Sequence, residues 1–400
     1  MGVSASGRHF ADGRGNPVFW LGDTQWDLFR LFTPGNALSI LRRRRAQGFN
    51  VILIMLTGVN MKKLGRKSEI PYANLDGETP WTGNDPLSPN EKYFRRVDDA
   101  IRLGGETGQT FVVGVYHQWH ADMITVAKAR GWARWVATRY RDVPGLIWCM
   151  YPKALPEFVP VCRELAAGLR DGDRGAHLIS IHPDPSVTSS SFMHEEEWLA
   201  FNMIQTCVDY DKIHETVTAD YRRDPVKPVI MAEGGYEGVE FDKLQTAHHI
   251  RKQAWWTHLA GGFHVYGHND AWMHPHEWGK WLDSPGSGHM KVFQEIATSC
   301  DRWWDMVPDQ TILASGAGAG YALNASARAS SGKWILAYLS EPSTVTIRKG
   351  AIKSGARAKA WFIDPATGNR NPAGEFGADS EPSFTCPSGW EDAVLYLKAE

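Results

Sequence analysis

Stretches that are apolar at every residue alternate with helical segments through the first three quarters of this 400-residue chain. A strand that is apolar on both faces must be covered on both sides, as in a parallel sheet wrapped by helices. We place eight such strands at residues 17–22, 50–55, 111–116, 145–150, 177–182, 200–204, 228–232 and 262–266. Eight strand–helix units close a (β/α)8 barrel. No glycine-rich phosphate loop follows the first strand, which disfavours the competing doubly wound sheet.

The sequence pattern changes after about residue 304. Short alternating runs such as KWILAYLS, STVTIRKG and DAVLYLKA are separated by turn residues. This spacing predicts a small antiparallel β-sandwich. We therefore predict an α/β protein with two domains, a (β/α)8 TIM barrel over residues 1–304 and a β-sandwich over residues 305–400.

Composition narrows the classes of partner. The net charge of −2 argues against a nucleic-acid or anionic-membrane surface, and no stretch reaches the roughly 20 apolar residues of a membrane span. The opening MGVSASGRHF lacks the apolar core of a signal peptide, so none is expected in this chain, and the compartment stays open between cytoplasmic and, after signal removal, periplasmic or secreted. Eighteen tryptophans favour a carbohydrate partner, because indole faces stack on the C–H faces of sugars. The oligomeric state stays open.

Polar and aromatic side chains follow nearly every predicted strand. The carboxyl ends of barrel strands and the loops after them carry the active site, so we expect these side chains to meet there. Apart from the glutamate and tyrosine discussed below, the expected sugar-binding residues are Asp23, Trp26, His117, Trp119, Lys153, His182, His194, Gln205, His268, Asn269 and Trp272. The histidine-rich stretches HQWH and HNDAWMHPH raise the question of zinc, but no HExxH motif is present, and we expect neither a metal nor another cofactor.

Glu233 is the candidate catalytic carboxylate. In KPVIMAEGGYEG an apolar strand leads directly into the acid, and the two glycines that follow permit a sharp turn and leave room beside it. The structural alternative is a glutamate held in an ion pair at a strand end. Asp23, in WLGDTQWDLF, has two open interpretations, as an N-cap of the next helix and as a ligand of sugar hydroxyls.

Several long motifs resemble one known family. The blocks GRHFADGRGNPVFWLGDTQWDLF, RRRAQGFNVILI, HLISIHP, FNMIQ, KPVIMAEGGYEG and GFHVYGHNDAW are similar to successive blocks of apiosidase-like glycoside hydrolases, which are (β/α)8 barrels of bacterial polysaccharide degradation. The tail AWFIDPATGNRNPAGEF…FTCPSGWEDAVLYL resembles the collagen-binding-type β-sandwich that commonly follows that barrel. The resemblance spans nearly the whole chain, but it leaves the substrate open because one barrel hosts many chemistries.

The resemblance implies a pair of catalytic carboxylates of the retaining type. The nucleophile of the family, at the end of strand 7, corresponds to Glu233. Its acid/base follows strand 4 in a Gly-Gly-Asp-type segment, about 5–5.5 Å from the nucleophile in enzymes of this type. Here that segment reads MYPK, so Tyr151 and Pro152 replace the glycines and Lys153 replaces the acid. This departure puts the two-carboxylate mechanism in doubt.

Three hypotheses follow. In the first, another group donates the proton, with Glu157, Asp184, Glu195 and His194 as candidates. In the second, Tyr151 is the nucleophile and Glu233 the base that activates it, as in sialidase-type enzymes, and Lys153 with the histidines would suit an acidic sugar. In the third, catalysis is lost and the cleft only binds glycans. We predict a glycoside hydrolase that removes a terminal sugar, acidic or neutral, from a glycan, with Glu233 as the catalytic carboxylate and Tyr151, or another loop acid or histidine, as its partner.

Overall fold

A computed structural model gives the fold. It describes residues 1–58, 70–207, 209–241, 243–273, 275–353, 355, 357–377 and 379–400, without the side chains of residues 152, 153 and 275. The strands are β1 (Gly2–Val3), β2 (Phe10–Ala11), β3 (Pro17–Val18), β4 (Leu21–Thr24), β5 (Val51–Met55), β6 (Thr110–Gly114), β7 (Leu146–Ala154), β8 (Ile179–Pro183), β9 (Val187–Thr188), β10 (Asn202–Gln205), β11 (Val229–Glu233), β12 (Phe263–Tyr266), β13 (Met306–Pro308), β14 (Leu313–Ser315), β15 (Ala325–Ala329), β16 (Trp334–Leu339), β17 (Thr344–Ile347), β18 (Arg357–Ile363), β19 (Arg370–Gly377), β20 (Ser383–Thr385) and β21 (Ala393–Ala399). The α-helices are α1 (Leu28–Leu31), α2 (Pro34–Ala46), α3 (Glu91–Thr107), α4 (Val126–Arg139), α5 (Val159–Asp173), α6 (Ser190–Met193), α7 (Ile213–Tyr221), α8 (Ala247–Leu259), α9 (Asp270–Met273), α10 (Trp278–Trp281) and α11 (Pro285–Thr298).

In the described part of the chain, eight parallel strands form a nearly closed barrel. Their order is β8, β7, β6, β5, β4, β12, β11 and β10, and β9 adds antiparallel to β10. Backbone contacts bridge the remaining gap, since the Ala200 N–H donates to the Ile179 carbonyl at 2.9 Å. Helices cover the outside between successive strands, and β5, β6 and β8 are buried at every residue. The predicted (β/α)8 barrel is confirmed.

All eight predicted barrel strands overlap the observed ones, but the first overlaps only at residues 21–22 because β4 runs from Leu21 to Thr24. Residues 17–18 form β3, which pairs antiparallel with β2, and the barrel strand β4 begins only at Leu21. The apolar run continues from the hairpin into the barrel without a break, so the pattern alone could not locate the bend between the two sheets. Because β4 continues to Thr24, Asp23 lies inside the strand and not in the segment after it.

The C-terminal part is a sandwich of two antiparallel sheets, as predicted. One sheet has the order β13, β15, β16, β21, β18, β19, and the other has the order β14, β17, β20. Ile335 and Leu395 of the larger sheet share a core with Val345 and Phe384 of the smaller one. We keep the division of the chain at residues 304 and 305 as a proposal.

The larger sheet of the sandwich also packs against the barrel through helix α8. The rings of Trp255 in α8 and Tyr338 in β16 stack with centroids 5.9 Å apart. Arg251 of α8 donates from Nε and Nη2 to the carboxylate of Asp392 at 2.9 and 2.8 Å, and both residues are buried. Among the residues described, no helix has the length and apolarity needed to cross a bilayer.

Candidate functional site

A cavity of about 270 Å³ opens at the carboxyl ends of the barrel strands. Its walls come from the ends of β7, β10 and β11 and from the segments that follow β4, β6 and β12. The described residues that line it are Trp26, His117, Trp119, Tyr151, Gln205, Cys207, Glu233, Gly234, Tyr236, Val239, Phe241, Asn269 and Trp272. Eight of these were predicted from the sequence, including Glu233 and Tyr151. The structure therefore brings the two predicted catalytic residues to one cavity.

Glu233 is the last residue of β11, and its side chain is 15% exposed. The glycine after it is required by a close approach, because a Cβ on Gly234 would lie 1.9 Å from Oε1 of Gln253. That glutamine accepts from the Gly235 N–H at 2.9 Å and donates to the Gly235 carbonyl at 3.1 Å. Gln253 thus fixes the turn that follows Glu233 and leaves the acid facing the cavity.

His182 lies behind Glu233 and is fully buried. Its Nδ1 donates to the Pro183 carbonyl at 3.0 Å, which leaves Nε2 facing Glu233 with 3.5 Å to Oε2. His182 does not line the cavity, although it was predicted to bind sugar. His182 therefore lies in contact with the Glu233 carboxylate at the wall of the cavity.

Tyr151 lies in a stack of rings beside Glu233. Its ring stacks on Trp26 at a centroid distance of 3.7 Å and meets His182 edge-on at 4.8 Å. The neighbouring strand makes room for it, because a Cβ on Gly114 would lie 2.8 Å from the Cβ of Tyr151. Trp26 is itself held by Tyr236, whose hydroxyl accepts from the indole N–H at 2.8 Å.

Electrostatics keep the two tyrosines of the cavity neutral. Burial and then the negative charge of Glu233 raise the pKa of Tyr151 well above its ordinary value, and the same two causes raise the pKa of Tyr236. Among the described residues that line the cavity, Glu233 is the only one with a carboxylate. The site therefore combines one acid with two protonated phenols.

His117 also presents a defined edge. Its Nδ1 accepts from the Trp119 backbone N–H at 2.9 Å, so the neutral ring carries its proton on Nε2. The ring lies 4.7 Å from that of Trp119 and 6.5 Å from that of Tyr151. His117 can therefore donate a hydrogen bond from Nε2.

Asp23 does not line the cavity, and neither interpretation of it agrees with the structure. Its side chain is fully buried and accepts from Arg44 Nε at 2.9 Å and from Gln25 Nε2 at 2.7 Å. It caps no helix, since the residues at the N-caps of α1 and α2 are Asp27 and Thr33. Asp23 lies within β4, and its side chain forms a buried ion pair with Arg44 of helix α2.

Two predicted histidines also lie away from the cavity. His194 donates from Nε2 to the Pro225 carbonyl at 2.9 Å, and its Nδ1 lies 3.2 Å from Oδ1 of Asn202, which begins β10 at the opposite end of the barrel. His268 accepts from the Asp270 N–H at 3.1 Å and stacks against Trp281. The Lys153 side chain lies outside the described residues. Glu157, Asp184 and Glu195, the other candidate proton donors, do not belong to the cavity lining either.

Sequence reasoning missed five lining residues. These are Cys207, Gly234, Tyr236, Val239 and Phe241. All five follow β10 or β11 within a few residues, so a wider window after each strand would have found them. No group of three or more potential metal ligands occurs among the described residues.

Comparisons with known proteins agree with this architecture. The family model described as "Apiosidase-like, catalytic domain" matches residues 4–305, and the one described as "Putative collagen-binding domain of a collagenase" matches residues 307–398. A glycoside hydrolase family 5 structure from Bacteroides vulgatus is 24% identical, covers 100% of this chain and 93% of its own, and superposes with a TM-score of 0.89. A family 5 mannosidase from Rhizomucor miehei is 12% identical, covers 66% and 84%, and gives a TM-score of 0.53. No curated protein matches the chain.

Proposed function

The chain belongs to the apiosidase-like family and is a glycosidase, and from this premise we propose that it removes a terminal sugar with Glu233 as the catalytic carboxylate and Tyr151 as its partner. One observation carries the proposal. Among the described residues of the cavity lining, the only carboxylate lies beside a tyrosine whose pKa it helps to raise. The pair occupies the carboxyl end of the barrel, where enzymes of this fold carry their chemistry.

The size of the cavity supports the removal of one terminal sugar. A volume of about 270 Å³ lies just below the ~300–1,000 Å³ that is typical of pockets for drug-sized ligands. Aromatic rings of Trp26, Trp119 and Trp272 contribute to its walls. Such walls suit the apolar C–H faces of a sugar ring.

In the proposed reaction, a Glu233 oxygen bonds to the anomeric carbon as the bond to the leaving oxygen breaks. The leaving oxygen takes the phenolic proton of Tyr151, which the raised pKa keeps in place until the bond is largely broken. Water then attacks the same carbon, returns a proton to Tyr151 and releases Glu233. The net charge of the site is unchanged over the cycle.

A second scheme has Tyr151 as the nucleophile. The same neighbourhood supports it, because a phenol with a raised pKa loses its proton only to an adjacent base, and transfer to Glu233 leaves the net charge of the cavity unchanged. From the sequence, Lys153 and the histidines were expected to bind an acidic sugar in this scheme. Of those histidines, His117 lines the cavity, whereas His194 and His268 do not.

Aryl glycosides whose leaving groups differ in acidity separate the two schemes. We expect Glu233→Gln to lose about 10²–10⁴-fold or more in kcat/KM on every substrate. If Tyr151 donates the proton, Tyr151→Phe loses activity on poor leaving groups and keeps it on activated ones. If Tyr151 is the nucleophile, the same variant loses activity on all of them.

Tyr116→Phe is the matched control, because Tyr116 is a buried tyrosine just beyond β6 that packs against Phe158 instead of lining the cavity. It should retain wild-type kinetics. Full activity in Glu233→Gln would refute the proposal. Binding of glycans by the wild type without turnover of neutral glycosides, uronides or sialosides would instead support the hypothesis of a catalytically inactive glycan-binding protein.

A further inference from the structure

Gln205 occupies a special place in the cavity wall. Gln205 is the last residue of β10 and pairs with Glu233, the last residue of the neighbouring strand β11. The two side chains therefore leave neighbouring strands at the same level. The pairing of β10 with β11 shifts register between Ile204 and Gln205. A bulge of this kind re-aims the side chain at a strand end, and it often occurs next to active sites.

The side-chain amide of Gln205 is buried, and no described residue forms a hydrogen bond with it. The residue is 1% exposed, and neither Oε1 nor Nε2 has a partner among the described residues. Other buried glutamines of the barrel differ in this respect. Gln253 holds the Gly235 backbone with both amide atoms, and Gln109 contacts the Phe49 carbonyl at 3.1 Å and the Thr107 hydroxyl at 2.8 Å.

A buried amide without a partner costs free energy, and a ligand that enters the cavity can satisfy it. A second such group lines the same cavity, because the indole N–H of Trp272 is also buried without a partner in the described structure. Together they present two donors and one acceptor. Both belong to the wall that surrounds Glu233.

The chemistry of a primary amide defines what it recognises. It places one donor and one acceptor side by side, and two adjacent hydroxyl groups of a sugar can satisfy both at once. A carboxylate can accept from Nε2 but meets repulsion from Oε1 and from Glu233. The described lining residues include no lysine or arginine to offset that repulsion.

We propose that Gln205 is a specificity-determining residue that binds two adjacent hydroxyl groups of a neutral sugar beside Glu233. This inference rests on the proposed function, since it assigns the substrate class of the same cavity. It differs from the acidic sugar considered in the second hypothesis. Trp272 Nε1 supplies a further donor to the same ring.

The test compares wild type, Gln205→Leu and the matched control Gln109→Leu. Gln109 is also a buried glutamine, but it lies at the amino end of β6, away from the cavity. The substrates are aryl glycosides of neutral hexoses, pentoses and 6-deoxyhexoses, the corresponding uronides, and the monodeoxy analogues of the best substrate. Each analogue lacks one hydroxyl group.

We expect Gln205→Leu to lose about 10- to 100-fold in kcat/KM on the best neutral glycoside. For the wild type, kcat/KM should fall by a similar factor when either of two adjacent hydroxyls is removed from the substrate. For Gln205→Leu, removing the same hydroxyls should lower kcat/KM little further. Gln109→Leu should change stability and leave these ratios unaltered. An equal loss for Gln205→Leu on every analogue, or a preference of the wild type for uronides, would overturn the inference.

Calorimetry with the free neutral monosaccharides separates this inference from the proposed function. If no glycoside is cleaved, yet the wild type and Gln109→Leu bind a neutral sugar that Gln205→Leu does not bind, the inference stands and the proposed function fails. If glycosides are cleaved and Gln205→Leu keeps the wild-type selectivity, the proposed function stands and the inference about Gln205 fails. Absence of both binding and cleavage would overturn both.

Discussion

Replacing Arg44 should cost the barrel a large part of its stability. The side chains of Arg44 and Asp23 are both fully buried, and the ion pair between them is 2.9 Å long. Removing one partner of a buried pair costs about 3–5 kcal/mol, because the other charge stays buried without compensation. That is a large share of the ~5–15 kcal/mol by which a domain is stable. At roughly 2–4 °C per kcal/mol, Tm should fall by about 6–20 °C in Arg44→Met.

The loss should also depend on pH. Burial raises the pKa of Asp23, and the charge of Arg44 and the hydrogen bond from Gln25 oppose that shift. Without Arg44 the pKa rises further. A carboxyl group whose pKa is higher in the folded than in the unfolded protein binds more protons when folded, so the variant loses stability as the pH rises above ~3.9. The difference in unfolding free energy between wild type and Arg44→Met should therefore be smaller at acidic pH than at pH 7.

Denaturant unfolding of Arg44→Met, Asp23→Asn and the double variant measures the pair. Arg44 also donates to Gln47 Oε1 and the Leu282 carbonyl, both at 2.7 Å, and the double-mutant cycle removes that contribution. We expect the double variant to lose less than the sum of the single variants. Additivity within about 0.5 kcal/mol would refute the structural ion pair. A selective rise in KM for folded Asp23→Asn would restore Asp23 as a sugar ligand.

Two further predictions concern buried groups outside the cavity. Burial lowers the pKa of His264 to about 3 in the folded protein, so below pH ~6.5 the unfolded chain binds a proton that the folded protein does not. Between pH ~6.5 and ~3 this group therefore lowers the free energy of unfolding by about 1.4 kcal/mol for each unit of decrease in pH. His264→Gln should show a shallower decline, and an unchanged slope would contradict the lowered pKa of His264. Asp392→Asn should weaken the contact between barrel and sandwich by about 3–5 kcal/mol and separate their calorimetric transitions, because Arg251 and the Tyr338 hydroxyl both donate to the buried carboxylate. Glu391→Gln is its control, since Glu391 also pairs with Arg251 but is 69% exposed, and such pairs contribute about 0–1 kcal/mol. Equal effects of the two variants would contradict the larger contribution expected of the buried Asp392 pair.

The barrel and the location of its site were predictable because both follow from local pattern. An apolar run must be covered on both faces, and parallel strands place their carboxyl ends at one rim, so Glu233 and Tyr151 meet without any knowledge of loop geometry. The same logic brought His117 and Asn269 to the cavity. The prediction for Asp23 differs from the structure because the apolar pattern did not show that β4 continues to Thr24, which places Asp23 inside the strand and not after it.

The sequence alone determined a helix-covered parallel barrel with a carboxylate at the end of its seventh strand, because hydrophobic periodicity is a local property of the chain. Only the tertiary structure decided which polar groups share a cavity with that carboxylate and which find partners elsewhere. Asp23 is neutralised by Arg44 from helix α2, whereas the side-chain amide of Gln205, beside Glu233, finds no partner among the described residues. Hydrogen-bond satisfaction depends on residues distant in sequence, and therefore no local pattern reveals it.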